Sequence, residues 1–314
     1  MGQTGPMELY QLRTFAAVAE LGHLTRAAER LHVSQPAVSA QIRALEEELG
    51  MPLFERGATG MTLTSAGSKL LPLATRVIGA ATDLKSHALS LKGEVAGHLR
   101  VGTLSDPDYL RLGDLLARAI ERHPLLQLEL RHEVTGTAFA KVRDGELDAS
   151  FYYGPLHHAA VVSTPLRPMA YRVVVPAAWR DRIDGGSWAP IAALPWVMTP
   201  PISSHHGLAT ELFETHGQTP ETIVEADNES VVRSLVVAGL GAGLMREDLA
   251  IDAERAGEVV RWPGARLATT LQFLHPRERS EEPAIAALLA LVEETWRDGR
   301  DTVVAASAAA AAAA

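Results

Sequence analysis

The 314-residue chain contains no cysteine. That excludes disulfides, thiolate metal sites, cysteine nucleophiles and thiol redox sensing. It also lacks a long hydrophobic run: the longest apolar stretch, 235–245, carries three glycines and reads as a buried element, not a membrane span. No basic segment followed by an apolar core and small residues opens the chain, so no secretory signal is expected and a cytoplasmic protein is the default. A Gly-rich phosphate loop, a G-x-S-x-G elbow and an H-E-x-x-H helix are all missing, which argues against an enzyme. Positive charge is in deficit, with 29 Lys and Arg against 38 Asp and Glu and a net charge of −9. Such a surface does not bind nucleic acid non-specifically over its whole area, so any DNA contact must rest on a local face and on more than one copy.

What is there begins with helical periodicity. Leu12, Phe15, Ala16 and Ala19 lie at i, i+3, i+4, i+7 and predict an amphipathic helix that Gly22 ends. Thr25 is placed to cap a second helix over 26–31. Ser34 is placed to cap a third, with Pro36 near its start, where a missing N–H costs little. Val38, Ile42, Leu45 and Leu49 form the core stripe of that helix, while Gln35, Ser39 and Arg43 share another face four residues apart. Two short helices around a tight turn, the second with a polar outer face, suit the DNA major groove. Residues 53–64 read as a hairpin, or wing.

Thr64 is placed to cap a long helix to about Leu91. Ala66, Leu70, Leu73, Val77, Ala80, Leu84, His87 and Leu91 are spaced 4-3-4-3-4-3-4, a heptad seam that predicts pairing with another chain, with Pro72 kinking the helix near its start. From Gly97 strands and helices alternate. Strands are expected at 99–104, 126–131, 149–153, 171–176, 196–198, 243–245 and 267–274. Helices are expected at 107–122, 137–144, 206–216, 229–238 and 283–296. This pattern predicts α/β sheets in about 200 residues, enough for two lobes. The end segments 1–6 and 299–314, the latter finishing in alanines, are set aside as tails.

The succession of AAERL, SQPAVSAQI, LEEELG, LFER and LTSAG within residues 7–68 resembles the LysR-type transcriptional regulators. Further support comes from Gly145-Glu146-Leu147-Asp148, from His216-Gly217 with Pro220, and from Val237-Ala238-Gly239-Leu240-Gly241 before Gly243-Leu244. The resemblance implies an α/β protein overall. An all-α winged helix-turn-helix would occupy 7–64 and a dimerising linker helix 65–92. A two-lobed effector domain like a periplasmic binding protein would occupy 97–298, with lobe 1 at 97–167 and 272–298 and lobe 2 at 168–271. The chain would cross between lobes near Arg167 to Met169 and Thr270 to Gln272. Expected partners are double-stranded DNA, a small-molecule effector, further copies of the chain as homodimer or homotetramer, and RNA polymerase if the protein activates. No cofactor, metal, membrane or catalytic residue is expected.

For DNA, Gln35 and Ser39 can meet base edges and Pro36 a thymine methyl. Thr25, Arg26, Ser34 and Arg43 suit phosphates, and Arg56 on the wing suits a phosphate or the minor groove. Arg43 has an alternative role as an ion-pair partner of Glu46 or Glu47. Two departures from the family pattern are Ala40, where an arginine is frequent, and Thr59, at a wing position often basic. Residues 1–64 hold five arginines against seven glutamates, so a single module is expected to bind weakly and to depend on multivalent docking. For the effector, strand C-termini and helix N-termini bring Leu104, Ser105, Asp106, Thr135, Thr137 and Tyr153 from one lobe, and Ser203, Ser204, His205, Asp227 and Met245 from the other. Asp106 either caps the following helix or faces the cleft, where it would favour an ammonium or several hydroxyls over a dianion. His205 is expected to donate to a ligand or to start a surface helix. Adjacent histidines at 157–158 and 205–206 point in different directions and do not make a metal site.

Overall fold

The computed structural model describes residues 7–57, 60–91, 94–104, 106–183 and 187–312. Among them the side chains of Arg56, Asp83, Ser86, His87 and Ser90, and those from 298 onward, lie outside the description. Contacts divide the chain into two compact units, residues 1–98 with 144–146, and residues 99–143 with 147–314.

The first unit contains α1 (Leu9–Leu21), α2 (Leu24–Leu31), α3 (Gln35–Leu49), β1 (Phe54–Gly57), β2 (Gly60–Leu63) and α4 (Ser65–Ser90). Gly22 and Gly50 close α1 and α3 in the left-handed conformation, with φ +67° and +69°. Ser34 caps α3, its hydroxyl accepting the Ala37 N–H at 3.3 Å, and Pro36 sits in the first turn. The second helix differs from expectation. It starts two residues early, with His23 at its N-cap and no side-chain cap bond, so Thr25 lies inside the first turn. His32, at φ +55°, then turns the chain toward α3.

Leu12, Phe15, Val18, Ala27, Val38, Ile42, Leu45 and Leu53 form one core with Phe54, whose ring meets Phe15 edge-on at 5.5 Å. Glu46 does not pair with Arg43. Its carboxylate accepts the Leu53 and Phe54 N–H groups at 2.8 and 3.2 Å, fixing where the wing begins. The Met61 N–H donates to the Gly22 carbonyl at 2.7 Å and ties the returning wing strand to α1. Gly67 in α4 is required by packing, because a Cβ there would lie 2.2 Å from the Leu53 carbonyl oxygen. A Gly67→Ala variant should therefore lose about 1–3 kcal/mol by overpacking, despite alanine's better helix propensity, seen as a lower urea midpoint. An unchanged midpoint would refute the close approach.

Along α4 two faces separate. Leu70, Leu71, Ala74 and Ile78 pack on the unit's own core. Leu73, Val77 and Leu84 are 51, 47 and 73 % exposed, as is Leu91, just past the helix end, at 89 %. Leu70 thus leaves the seam read from the heptad spacing, and His87 lies outside the described side chains. Pro72 lies inside the helix.

The second unit is built on a six-stranded sheet in the order β4-β3-β5-β10-β6-β9. Its strands are β3 (Ala96–Thr103), β4 (Leu125–His132), β5 (Ala149–Tyr153), β6 (Val161–Pro176), β9 (Gly243–Arg246) and β10 (Val259–Pro276). β7 (Pro195–Met198) and β8 (Glu221–Glu225) form a parallel pair, bridged to the main body by Trp196 and Ala242. The helices are α5 (Leu112–Arg122), α6 (Thr135–Arg143), α7 (Trp188–Ala192), α8 (Ser204–Thr215), α9 (Glu229–Val237), α10 (Glu247–Arg255) and α11 (Pro283–Ala312). β6 and β10 run antiparallel along their whole lengths. One end of β10 pairs with β5, and the opposite end of β6 pairs with β9. Two lobes therefore share these two strands. Strands expected at 171–176 and 267–274 are parts of much longer ones, and β8, α7 and α10 have no counterpart among the expected elements. The helix expected from 107 starts only at Leu112, because Asp106 to Leu110 form turns and Arg111 takes φ +49°.

Asp148 anchors lobe 1. Its carboxylate accepts the Arg100 N–H at 2.6 Å and the Arg100 Nε at 3.0 Å, and pairs with Arg279 on the 3₁₀ turn before α11. Burial alone would raise its pKa. The Arg100 hydrogen bonds and the charges of both arginines outweigh that and hold it below the ordinary range. A carboxylate with a depressed folded pKa stabilises the fold above its unfolded value of about 3.9. That stabilisation is lost as pH falls through the folded pKa. Stability should drop below about pH 4, and Asp148→Asn should flatten that drop while lowering stability at pH 7 by about 3 kcal/mol. Urea titrations from pH 7 to pH 3 check both.

Candidate functional site

On the first unit, Thr25, Arg26, Ser34, Gln35, Pro36 and Arg43 are all exposed, and Ser39 is half-buried. They occupy the start of α2, the turn and one side of α3. Arg43 reaches back along its own helix, with Nε donating to the Ser39 carbonyl and Nη2 to the Ser39 hydroxyl, both at 3.2 Å. It is therefore not paired with Glu46 or Glu47 in the way its alternative role required, and it holds Ser39 in a defined rotamer. Gln35 and Pro36 stand at the exposed N-terminal end of α3, the end a recognition helix turns to base edges. Arg56 sits on the wing strand opposite Met61, and its side chain lies outside the described set.

On the second unit, a cleft of ≈ 430 Å³, open mouth included, is lined by Leu104, Glu133, Val134, Thr135, Tyr153, Tyr171, Thr199, Ser203, His205, Asp227 and Glu229. Both lobes contribute. Two hydrogen bonds join α6 to the start of α8 and the turn before it: the Ser204 N–H donates to Thr135 Oγ1 at 2.8 Å, and the Gly136 N–H to the Ile202 carbonyl at 3.1 Å. Nearby, Arg246 of β9 reaches Asp106 in lobe 1 at 2.6 Å while also bonding Asp248 at 2.7 Å and Glu229 at 3.3 Å. The same guanidinium lies 3.6 Å from the centre of the Tyr109 ring. Arg246 is buried, which alone would disfavour its charge, but its three carboxylate partners push its pKa up. Burial raises the Glu229 carboxyl, against the opposing pull of Arg246. Asp106 moves the other way: hydrogen bonds from Tyr109 and Arg246 outweigh its burial and lower it.

Six of the residues chosen for the effector line this cleft: Leu104, Thr135, Tyr153, Ser203, His205 and Asp227. Ser105 lies outside the described residues. Ser204 lies between two lining residues and Thr137 two positions past Thr135, and neither lines the cleft. Asp106 caps a turn rather than a helix, accepting the Tyr109 N–H at 2.9 Å, and its second oxygen is taken by Arg246. Met245 is not in the cleft. It packs with Val174, Val197, Val232 and Val236 on the opposite sheet face, because neighbours along a strand alternate. His205 is a core histidine. Its Nε2 donates to the Leu244 carbonyl at 3.1 Å and its Nδ1 faces the Thr199 hydroxyl at 3.2 Å, so neither nitrogen remains for a ligand. Burial pushes its pKa down to about 4, which keeps it neutral. His206 bonds the Thr199 carbonyl at 2.6 Å. Among the described residues no three His, Asp or Glu groups gather as metal ligands. Residues that sequence reasoning missed are Glu133, Val134, Tyr171, Thr199 and Glu229, together with Arg246 behind the lining.

A winged helix-turn-helix on one unit and a two-lobed ligand-binding domain on the other define a ligand-responsive DNA-binding regulator. Family matches agree with this reading of the geometry. Residues 9–68 match the bacterial regulatory helix-turn-helix protein, lysR family, and residues 92–297 match the LysR substrate binding domain. The chain is 33% identical over 250 residues to the HTH-type transcriptional regulator IlvR of Caulobacter vibrioides, covering 76% of this chain and 82% of that one. It is 30% identical over 303 residues to the Hca operon transcriptional activator HcaR of Escherichia coli, covering 92% and 98%. A full-length OxyR variant from Pseudomonas aeruginosa superposes with a TM-score of 0.68 at 25% identity, covering 93% of this chain and 95% of that one. The chain belongs to the LysR family of transcriptional regulators, with a helix-turn-helix DNA-binding domain and an effector-binding domain. Among the described residues no helix is long and apolar enough to cross a membrane.

Proposed function

We propose that the chain, acting in the cytoplasm by binding rather than catalysis, reads a two-half-site operator with paired copies of α3 and reports an effector bound in the cleft. The reading domain is 7–64, the pairing helix 65–92 and the effector domain 97–298, with lobes exchanging chain near 167–168 and 271–272. The observation that carries the reading is the exposed polar end of α3: Gln35 and Pro36 stand clear of the core while Ser34 caps the helix behind them. A glutamine amide there pairs bidentately with adenine, Pro36 meets a thymine methyl and Ser39 a base edge. Thr25, Arg26, Ser34, Arg43 and Arg56 fix register on phosphates. The exposed leucines of α4 support pairing, and two copies would place two recognition helices on one DNA face about one turn, ~34 Å, apart. Thr135, Ser203 and Tyr153 bind the effector. As an activator, the DNA-bound assembly would also touch RNA polymerase.

The test is fluorescence anisotropy of the full chain on DNA from immediately upstream of its gene and its divergent neighbour, against scrambled DNA, across a salt series. Preferred binding to the upstream DNA, with affinity falling steeply as salt rises, is expected from released phosphate counterions. Equal affinity for both DNAs at every salt concentration would overturn the proposal.

A further inference from the structure

Charge in the cleft is one-sided. Among the described residues that line it, none is Lys or Arg, whereas Glu133, Asp227 and Glu229 are carboxylates. The cations just behind the lining are already engaged. Arg246, 3% exposed at its side chain, is divided among Asp106, Glu229 and Asp248. Lys141 pairs with Glu133, and Arg167 lies over the Tyr109 ring. Three cations thus face five carboxylates. The first two N–H groups that open α8, a natural seat for an anion, are taken too: Ser204 donates to Thr135 and His205 to the Ser203 hydroxyl. Among the described lining residues, the buried hydroxyl of Tyr153, a side chain with only 9% of its surface exposed, has no hydrogen-bond partner, and neither has the Ser204 hydroxyl beside the lining. A buried hydroxyl left unpaired costs free energy that a bound polar group recovers.

We infer that the cleft takes a small organic cation, a molecule with at least one protonated amine, seated between Asp227, Glu229 and the Tyr153 hydroxyl. This rests on the cleft being the effector site. An ammonium supplies three donors to two carboxylates and a phenol oxygen, all of which accept. A dicarboxylate would bring two more negative charges beside carboxylates already in excess, with no side-chain cation in the lining to meet them.

The test uses the full chain and three probes on one four-carbon frame: 1,4-diaminobutane, 4-aminobutanoate and succinate. Isothermal titration and thermal shift are read for the wild type, Asp227→Asn and Tyr153→Phe. Asp227 is exposed, so its variant keeps the fold. The two amines should bind and raise the melting temperature, with the diamine tighter and succinate silent. Each substitution should weaken the amines about ten- to a hundred-fold, the size of one hydrogen bond to a charged group. Succinate binding more tightly than the amines, with Tyr153→Phe weakening it, would overturn the ligand class and leave the cleft as effector site. Amine binding untouched by both substitutions would overturn the cleft itself as the site. Silence from all three probes would overturn the cation inference.

Discussion

Leu84→Glu on α4 is expected to lower affinity for a two-half-site operator by about a hundred-fold or more, the scale at which linked binding is lost. Leu84 is 73% exposed and contributes nothing to its own unit's core, so the substitution leaves the helix-turn-helix folded. Leu73, Val77, Ala80 and Leu84 follow the 4-3-4 spacing of a two-chain seam. In the proposed two-fold pair the new carboxylate enters the seam twice, each copy desolvated without a partner. Once the chains part, each reading module binds alone, and its arginines are outnumbered by its glutamates. Analytical ultracentrifugation should show a smaller species, and anisotropy should show weak binding to one half-site. Wild-type assembly and affinity in this variant would place the pairing surface elsewhere.

Arg246→Ala is expected to cost about 3–5 kcal/mol of stability at neutral pH, the usual cost of stranding a buried charge. The loss falls mainly on Glu229, whose side chain is 12% exposed, and less on Asp248, which is 52% exposed and stays hydrated. The Arg246 contact over Tyr109 and the bridge to Asp106 go with it, so lobe 2 loses a direct hold on lobe 1. The sign with pH is definite. Glu229 already has a raised folded pKa, and removing the cation raises it further. A carboxyl with a raised folded pKa is least favourable when ionised, so the deficit is greatest at neutral pH and shrinks on mild acidification. Urea unfolding at pH 7.5 and pH 5.5 measures both values. A deficit under about 1 kcal/mol that does not change with pH would show that the carboxylates are solvated, as in an exposed ion pair.

Local signals carried α1 and α3 well. Their apolar spacing is regular, and Gly22, Ser34 and Gly50 mark ends by backbone rules that act within a few residues. The compact strand β5 was equally plain. β8 escaped because four of its five residues are exposed and show no alternation. α10 escaped because the residues it buries are Ala250 and Ala253, too small to draw a stripe. Met245 was misassigned because adjacent strand residues differ in face: Leu244 gives its carbonyl to His205 while Met245 faces away. Arg246 is a different case. Its partner Asp106 lies 140 positions away, and only the fold brings the two together. The carboxylate excess of the cleft became visible only once Glu133 and Glu229 were seen to line it.

The central claim is that α3 reads base sequence through Gln35. Its most direct measurement compares wild type with Gln35→Ala on operator DNA and on scrambled DNA at one salt concentration. Gln35 is exposed, so the substitution leaves the core intact. The expected result is a loss of about ten- to a hundred-fold per half-site on operator DNA, from one bidentate base contact, with scrambled DNA bound as before. Operator affinity unchanged, or reduced equally on both DNAs, would contradict base readout by this helix.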